Sequence, residues 1–88
     1  MIVEYSKMFL KDIQKISDNT LKKQLFESIK LLINAYSLLE VPNIKKLKGH
    51  PEAYRFRLGK YRLGFYYNGK KIEMERFVKR ENIYKLFP

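Results

Sequence analysis

The 88-residue chain contains no cysteine and one histidine, His50. The absence of cysteine excludes disulfide bonds, thiolate metal sites and cysteine nucleophiles, and it is compatible with a reducing compartment. A single histidine cannot form a histidine-based metal cluster. No apolar run approaches the length of a membrane span, and the N-terminus lacks the basic and then apolar pattern of a signal peptide. We therefore expect a soluble, cytoplasmic protein that binds no cofactor, metal or membrane.

Acidic residues are also scarce, since nine Asp and Glu stand against nineteen Lys and Arg and give a net charge of +10. Residues 1–44 are nearly neutral, with six lysines and five acids, whereas residues 45–88 carry thirteen basic residues and four acids. A polyanion such as RNA or DNA fits this distribution better than an acidic protein or an anionic membrane does. All the arginines lie in the second half: Arg55, Arg57, Arg62, Arg76 and Arg80.

Length and composition are those of one small folded domain. Hydrophobic residues make up 45% of the chain and aromatic residues 15%, which distinguishes it from disordered proteins. Eighty-eight residues are enough for one modest core but not for two. We expect residues 1–88 to form a single domain, without an internal repeat or a linker.

The segment YRFRLGKYR, residues 54–62, has the strict alternation of a β-hairpin. Its apolar residues alternate with Arg55 and Arg57, so one face builds core and the other carries positive charge. A Gly-Lys pair reverses the chain, and Arg62 then rejoins the charged face. Because the arginine fork binds phosphate oxygens bidentately and stays charged, the segment predicts a partner that carries phosphate.

The first half of the chain has helical periodicity after a short strand at residues 1–5. Ser6 is the predicted cap of a first helix, and the polar segment SDNT at residues 17–20 separates it from a longer second helix. Two antiparallel helices joined by a short loop are expected. The predicted apolar stripe of the second helix consists of Leu21, Leu25, Ile29, Leu32, Tyr36 and Leu39.

The second half of the chain reads as strands. Pro42 closes the helical region, a lysine-rich loop leads into the hairpin, and Asn68-Gly69 is a strong turn signal before a last strand. The alternation of that strand breaks at residues 76–78, where a β-bulge is one interpretation. The predicted fold is therefore α+β: an N-terminal strand, a helical hairpin and an antiparallel three-stranded meander, with the helices packed on one face of the sheet.

If the apolar faces pack beneath the helices, the hairpin arginines project together from the opposite surface. Crowded like charges destabilise an isolated protein, so the arrangement suggests an anion site. The alternative is a solvated basic sheet that Glu73 and Glu75 neutralise. Tyr84, in the basic C-terminal segment, either stacks on a base at this surface or merely packs. His50 is a candidate acid or base, or else an exposed loop residue.

No paired carboxylates, glycine-rich phosphate loop or nucleophile triad can be assembled from the remaining residues, so any catalysis must rely on cations and tyrosine. Three segments do form a familiar pattern: KLKG at 46–49, YRFRLGKYRLGFY at 54–66 and KRENIY at 79–84. In this order, after two helices, they resemble the RelE/ParE superfamily of bacterial toxins over nearly the whole chain. The resemblance implies a toxin of a type II toxin–antitoxin pair.

The superfamily contains two activities, since RelE-like members cut messenger RNA in the ribosomal A site and ParE-like members inhibit DNA gyrase. Retention of the arginine set favours the ribonuclease branch. The resemblance then implies metal-independent attack by a ribose 2′-hydroxyl on its adjacent phosphate, with arginines stabilising the developing charge. The implied catalytic residues are Arg55, Arg57, Arg62, Lys79, Arg80 and Tyr84, and the predicted RNA-binding lysines are Lys45, Lys46, Lys48 and Lys60.

Lys79 stands where many members have histidine, and crowding by neighbouring cations would favour its neutral form. It is therefore the first candidate for proton transfer, and His50 is the second. The expected partners are a cognate antitoxin, the ribosome and messenger RNA, and we expect the free toxin to be monomeric. The alternatives are a ParE-like gyrase inhibitor, in which the helical hairpin or the terminus contacts the target, and a non-catalytic nucleic-acid-binding relative.

Overall fold

The computed structural model describes all 88 residues as one five-stranded sheet with three α-helices. The sheet order is β1-β5-β4-β3-β2; β1 runs parallel to β5, and all other neighbours are antiparallel. The α+β class, the helical hairpin and the meander of β3, β4 and β5 are thereby confirmed. The elements are β1 (Ile2–Tyr5), α1 (Lys7–Gln14), α2 (Asn19–Asn34), a 3₁₀ turn (Leu38–Glu40), β2 (Ile44–Lys46), β3 (Ala53–Leu58), β4 (Tyr61–Tyr67), β5 (Lys71–Lys79) and α3 (Arg80–Leu86).

Local capping defines the two helices of the hairpin. The Ser6 hydroxyl accepts a hydrogen bond from the Phe9 amide at 3.0 Å, as the sequence predicts. At the SDNT break, the Asp18 carboxylate accepts from the Thr20 and Leu21 amides at 2.9 and 3.2 Å. Each cap satisfies backbone donors that the first helical turn leaves unpaired. The polar break therefore both ends α1 and begins α2.

The main core lies between this helical hairpin and one face of the sheet. The alternating apolar residues of the predicted β-hairpin point into it, as expected from the period of two. Helix and sheet side chains interdigitate in a single cluster, whose buried members are Phe9, Ile16, Leu25, Ile29, Leu32, Val41, Phe56, Leu58, Leu63, Phe65, Ile72, Met74 and Phe77.

The second helix is shorter than its apolar stripe predicts. It ends at Asn34, and Tyr36 and Leu39 are 95% and 98% exposed instead of buried. The cause is local, because the Ser37 hydroxyl caps the separate 3₁₀ turn by accepting from the Leu39 amide at 3.2 Å. Side chains that bond to nearby backbone groups in this way compete with helix continuation.

Two features of the sheet were not resolved by the sequence pattern. The predicted lysine-rich loop contains β2, whose three residues are too few to show an alternation; Ile44 supplies its half-buried side chain. In β5 the register steps from Arg76 opposite Gly64 to Met74 opposite Phe65. Glu75 is thus an extra residue, and the bulge interpretation of the broken alternation is confirmed.

Helix α3 packs on the face of the sheet opposite the helical hairpin. Its Ile83 and the following Phe87 are buried with Ala53 of β3 in a second, smaller cluster. The Phe87 ring lies with its centroid 5.0 Å from that of Tyr66. Gly64 permits this approach, because a Cβ at that position would lie 2.6 Å from Cδ2 of Phe87. The predicted fold contains no helix on this face, whereas in the structure α3 covers part of the charged surface.

Substituting Gly64→Ala is expected to destabilise the protein by about 1–3 kcal/mol, the range typical of overpacking. In an ordinary strand position alanine is the better residue, so the sign of the effect reports the contact with Phe87. Urea unfolding followed by far-ultraviolet circular dichroism measures the change. The control is the same substitution in a Phe87→Ala background, where the ring is absent and the penalty should disappear. An equal penalty in both backgrounds would contradict the packing explanation.

Candidate nucleic-acid interface

The hairpin brings three arginines together on the face that α3 partly covers. In the β3–β4 register, Arg57 lies opposite Arg62 and Arg55 lies opposite Gly64, two residues further along. The two-residue turn between the strands has Gly59 at φ +57°, which a glycine adopts without steric strain. Residues opposite or diagonal in an antiparallel pair are neighbours on one face. The alternation therefore predicted this group of arginines correctly.

Helix α3 adds a fourth arginine to this group. Arg80 is its first residue, and the Arg80 amide donates to the Lys60 carbonyl at 2.9 Å, which ties the start of the helix to the β3–β4 turn. Arg55, Arg57 and Arg80 all lie close enough to Arg62 for their charges to lower its pKa. We call these four residues the arginine cluster: Arg55, Arg57, Arg62 and Arg80.

Arg62 is the buried member of the arginine cluster, with only 7% of its surface exposed. Its Nη1 donates to the carbonyls of Gly59 and Tyr61, both at 2.8 Å. Burial lowers the pKa of Arg62 below its ordinary value, and the charges of Arg55, Arg80 and Arg57 lower it further. The sequence predicts that Arg62 projects from this face; the structure instead places it at the base of the cluster, where it bonds to the carbonyls of Gly59 and Tyr61.

Tyr84 lies against Arg55 at the rim of the cluster. Nη1 of Arg55 donates to the Tyr84 hydroxyl, and the guanidinium carbon lies 5.3 Å from the centre of the tyrosine ring. The ring stays 64% exposed, so Tyr84 is not a packed core residue. Arg80 and Tyr84 are four residues apart on one helix and therefore share a side of it. One aromatic and one cationic side chain of α3 thus border the same surface.

None of the four clustered arginines has an acidic partner. The salt bridges of the structure are Lys71 with Glu4 at 2.9 Å, Lys71 with Glu73 at 3.5 Å, and Arg76 with Asp12 at 2.8 Å. Neither Glu73 nor Glu75, the acids of the alternative interpretation, forms a salt bridge with these arginines. Both carboxylates instead lie near Tyr66, whose pKa is raised by burial and then by Glu75 and Glu73.

A polar depression adjoins the arginine cluster. Its volume is about 450 Å³, and no hydrophobic side chain lines it. Lys79, the last residue of β5, and Lys60, in the β3–β4 turn, border this depression together with Arg80. Three cations from separate elements therefore surround one opening, with a single carboxylate, Glu81, at its edge.

The remaining predicted lysines lie along β2 and the loop after it. Lys45 lies opposite Arg55 in the β2–β3 register and extends the basic face by one strand. Lys46 and Lys48 border a different open cavity of about 590 Å³ together with His50. His50 is exposed and does not border the depression of Lys79, so the structure does not bring this second candidate for proton transfer to the arginine cluster.

One residue of the site was missed by sequence reasoning. Asn43, just before β2, accepts a hydrogen bond from Nη2 of Arg57 at 3.0 Å through its side-chain oxygen. The preceding Pro42 marks a turn, which was the available signal, but a turn residue gives no indication of which arginine it will contact. Asn43 and Arg57 are thus a further pair at the border of the cluster.

The structure shows no group of three or more His, Cys, Asp or Glu side chains placed to hold a metal ion. None of its helices combines the length and the apolar character needed to cross a membrane.

The five-stranded sheet, the helical hairpin on one face and the arginine-rich opposite face define a RelE/ParE-type toxin. A family model for the ParE toxin of the type II toxin–antitoxin system parDE matches residues 3–84. Toxin RelE3 of Methanocaldococcus jannaschii is 38% identical over 93 aligned positions, which cover 100% of both proteins. The chain therefore belongs to the RelE/ParE superfamily and is a toxin of the type II toxin–antitoxin class.

Solved structures agree with this assignment. A chain of the RelB-RelE antitoxin–toxin complex from Methanococcus jannaschii superposes with a TM-score of 0.81 at 34% identity, over 97% of this chain and 99% of that one. A chain of the archaeal RelE-RelB complex from Pyrococcus horikoshii OT3 superposes with a TM-score of 0.73 at 25% identity, over 90% and 93% of the two chains. The resemblance found in the sequence motifs is thereby confirmed at the level of the fold.

Proposed function

We propose that the protein is a ribosome-dependent endoribonuclease that cleaves messenger RNA by attack of a ribose 2′-hydroxyl on the adjacent phosphate. The observation that carries this proposal is the arginine cluster: four guanidinium groups from β3, β4 and α3, without an acidic partner, beside an exposed tyrosine. Crowded cations destabilise a protein unless an anion joins them, and a phosphodiester in RNA supplies that anion.

The chemistry requires groups that stabilise negative charge at the moment it develops on phosphate oxygens. Preorganised cationic donors do this without reorganisation, and a low-dielectric setting strengthens them. Arg62 meets both conditions, because it is buried and its Nη1 is fixed by two backbone carbonyls. Nε and Nη2 of the same fork remain for a phosphate. Arg62 is therefore assigned the role of the fixed electrostatic group, and Arg55, Arg57 and Arg80 surround the phosphate.

Proton transfer and the positioning of a nucleobase are assigned to residues at the rim of the site. Lys79 borders the same depression as Arg80, whereas His50 borders another cavity, so Lys79 is the preferred candidate for moving the proton of the 2′-hydroxyl or the leaving group. Tyr84 presents an exposed ring beside Arg55 and is suited to stack on a nucleobase. Lys45, Lys46, Lys48 and Lys60 are proposed to bind the RNA backbone on either side of the cut.

The proposal is tested with purified ribosomes that translate a message of defined sequence. Wild-type protein should produce cuts at the codon in the ribosomal A site, with 2′,3′-cyclic phosphate and 5′-hydroxyl ends mapped by primer extension and end-labelling. The same message without ribosomes should stay intact. Uncut message in the presence of folded protein and active ribosomes would count against the nuclease assignment.

The second candidate function is inhibition of DNA gyrase, and it is favoured by the description of the matching family model as a ParE toxin. A supercoiling assay with purified gyrase separates the two functions. Loss of supercoiling activity together with an uncut message supports inhibition of gyrase. Salt-sensitive RNA binding with neither effect supports a non-catalytic relative, because phosphate contacts alone give salt-dependent affinity.

A cognate antitoxin is the proposed protein partner. Both solved relatives described above are antitoxin–toxin complexes, and a protein of net charge +10 is complementary to an acidic chain that folds as it binds. A small acidic protein encoded by the neighbouring reading frame, with a DNA-binding half, is the expected finding. Its addition should abolish cleavage in the ribosome assay.

A further inference from the structure

Asn43 has an unusual backbone conformation in the turn before β2. Its φ of +68° makes it the one non-glycine residue of the chain in the left-handed region. Residues other than glycine, asparagine and aspartate rarely adopt this backbone conformation, because it brings Cβ close to the following carbonyl oxygen. Glycine would meet the backbone requirement with less strain. The presence of asparagine therefore calls for an explanation in the side chain.

The side chain and the backbone of Asn43 both contact Arg57. The Asn43 carbonyl accepts from the Arg57 amide at 2.9 Å, and its side-chain oxygen accepts from Nη2 of the same residue at 3.0 Å. The first bond aligns the strand, and the second fixes the far end of the guanidinium. Arg57 is thus held at both ends by one residue.

Arg57 needs such an anchor because a neighbouring arginine repels it. It lies opposite Arg62 in the register, its side chain is exposed, and no carboxylate forms a salt bridge with it. An unrestrained cation beside another cation swings into water. The amide oxygen of Asn43 accepts a hydrogen bond without adding negative charge. It therefore orients Arg57 and leaves the full positive charge available to a phosphate.

We propose that Asn43 is a positioning residue that restrains the guanidinium of Arg57 on the β2 side of the arginine cluster, at the border of the phosphate site. The inference rests on the proposed nuclease function for its effect on rate, but the restraint on Arg57 is a property of the free protein. A neutral acceptor explains why asparagine occupies the position, since aspartate would compete with phosphate for the same guanidinium.

Two variants and a matched control test this role. Asn43→Gly keeps the left-handed backbone and removes the acceptor, and Asn43→Asp keeps an acceptor but adds a negative charge. Asn68→Asp is the control, because it makes the same charge change in the β4–β5 turn and preserves the acceptor that binds the Lys70 and Lys71 amides. For each variant, message cleavage yields kcat and KM, and nitrogen-15 relaxation reports the order of the Arg57 side chain.

We expect Asn43→Gly to lower kcat about three- to tenfold with little change in KM, the size of one hydrogen bond lost in the transition state. The Arg57 side-chain signals should become mobile. Asn43→Asp should keep Arg57 ordered but raise KM, and Asn68→Asp should resemble the wild type. These outcomes together support the proposal.

Two results would overturn the positioning role of Asn43. One is a wild-type kcat in Asn43→Gly, and the other is an Arg57 side chain that is as well ordered in Asn43→Gly as in the wild-type protein. If the wild-type protein cleaves no message, the nuclease function fails separately. The relaxation comparison alone then decides whether Asn43 restrains Arg57: a mobile side chain in Asn43→Gly supports the positioning role, and an unchanged one overturns it.

Discussion

Arg80→Ala is expected to lower the rate of message cleavage by about 10²- to 10³-fold, the loss typical when one preorganised charge-stabilising donor is removed. Arg80 contributes to the arginine cluster from the start of α3, and it borders the depression that contains Lys79. Its backbone amide anchors the helix through the Lys60 carbonyl, and alanine preserves that bond. The fold should therefore persist while the charge is lost. Single-turnover cleavage on programmed ribosomes measures the change.

The matched control is Lys85→Ala on the same helix. It removes one positive charge from an exposed residue that is neither in the cluster nor at the depression, so cleavage should stay within about twofold of the wild type. A similar loss in both variants would assign the effect to net charge. A wild-type rate of cleavage in folded Arg80→Ala would show that Arg80 takes no part in the reaction.

Arg62 calls for a milder change because it is buried. Arg62→Lys keeps the charge but loses the planar fork that bonds to the Gly59 and Tyr61 carbonyls. We expect it to reduce kcat strongly while message binding changes little, since the residue acts on the developing charge and not on the RNA backbone at large. Circular dichroism establishes whether the fold is retained.

The arginine pairs of the hairpin could be predicted from the sequence because the signal is local. A period of two over Tyr54 to Leu58, a Gly-Lys turn and a second alternating run determine both the register and the face of each side chain. The position of Arg62 opposite Arg57 follows from the turn alone. The cap at Ser6 was equally readable, since it lies beside the helix that it begins, whereas Asp18 was identified only as part of a polar break.

The surroundings of those arginines could not be predicted, because they depend on contacts between distant segments. Helix α3 returns over the sheet beside these arginines, and Gly64 admits the ring of Phe87 from twenty-three positions further along the chain. A glycine in a strand indicates a close approach but not what approaches. Asn43 likewise shows a turn signal, whereas its bond to Arg57 depends on the pairing of β2 with β3.

Asp12→Ala is expected to lower the free energy of unfolding by about 3–5 kcal/mol, as for other buried ion pairs that lose one partner. Asp12 is 4% exposed, and its carboxylate accepts from Nε and Nη2 of Arg76 at 2.8 and 3.0 Å. It also accepts from the Phe77 amide at 2.9 Å. That amide lies on the part of β5 beyond the end of β1, so Asp12 satisfies the free edge of the sheet from α1.

A double-mutant cycle separates the ion pair from the rest of this effect. Arg76→Ala in the Asp12→Ala background removes the unpaired, partly buried cation, so the double variant should be less destabilised than the sum of the two single variants predicts. Asp18→Ala is the control for loss of an aspartate; it removes an exposed helix cap and should lower stability by only about 1 kcal/mol. Urea unfolding gives all four values.

The single variant Arg76→Ala also distinguishes Arg76, the fifth arginine of the chain, from the arginine cluster. Arg76 has an acidic partner and the four clustered arginines have none, so Arg76 belongs to the fold and not to the phosphate site. Arg76→Ala should therefore lower stability while cleavage, measured at a temperature where the variant is folded, remains near the wild-type rate. A large loss of cleavage in fully folded Arg76→Ala would show that an acidic partner does not exclude an arginine from the phosphate site.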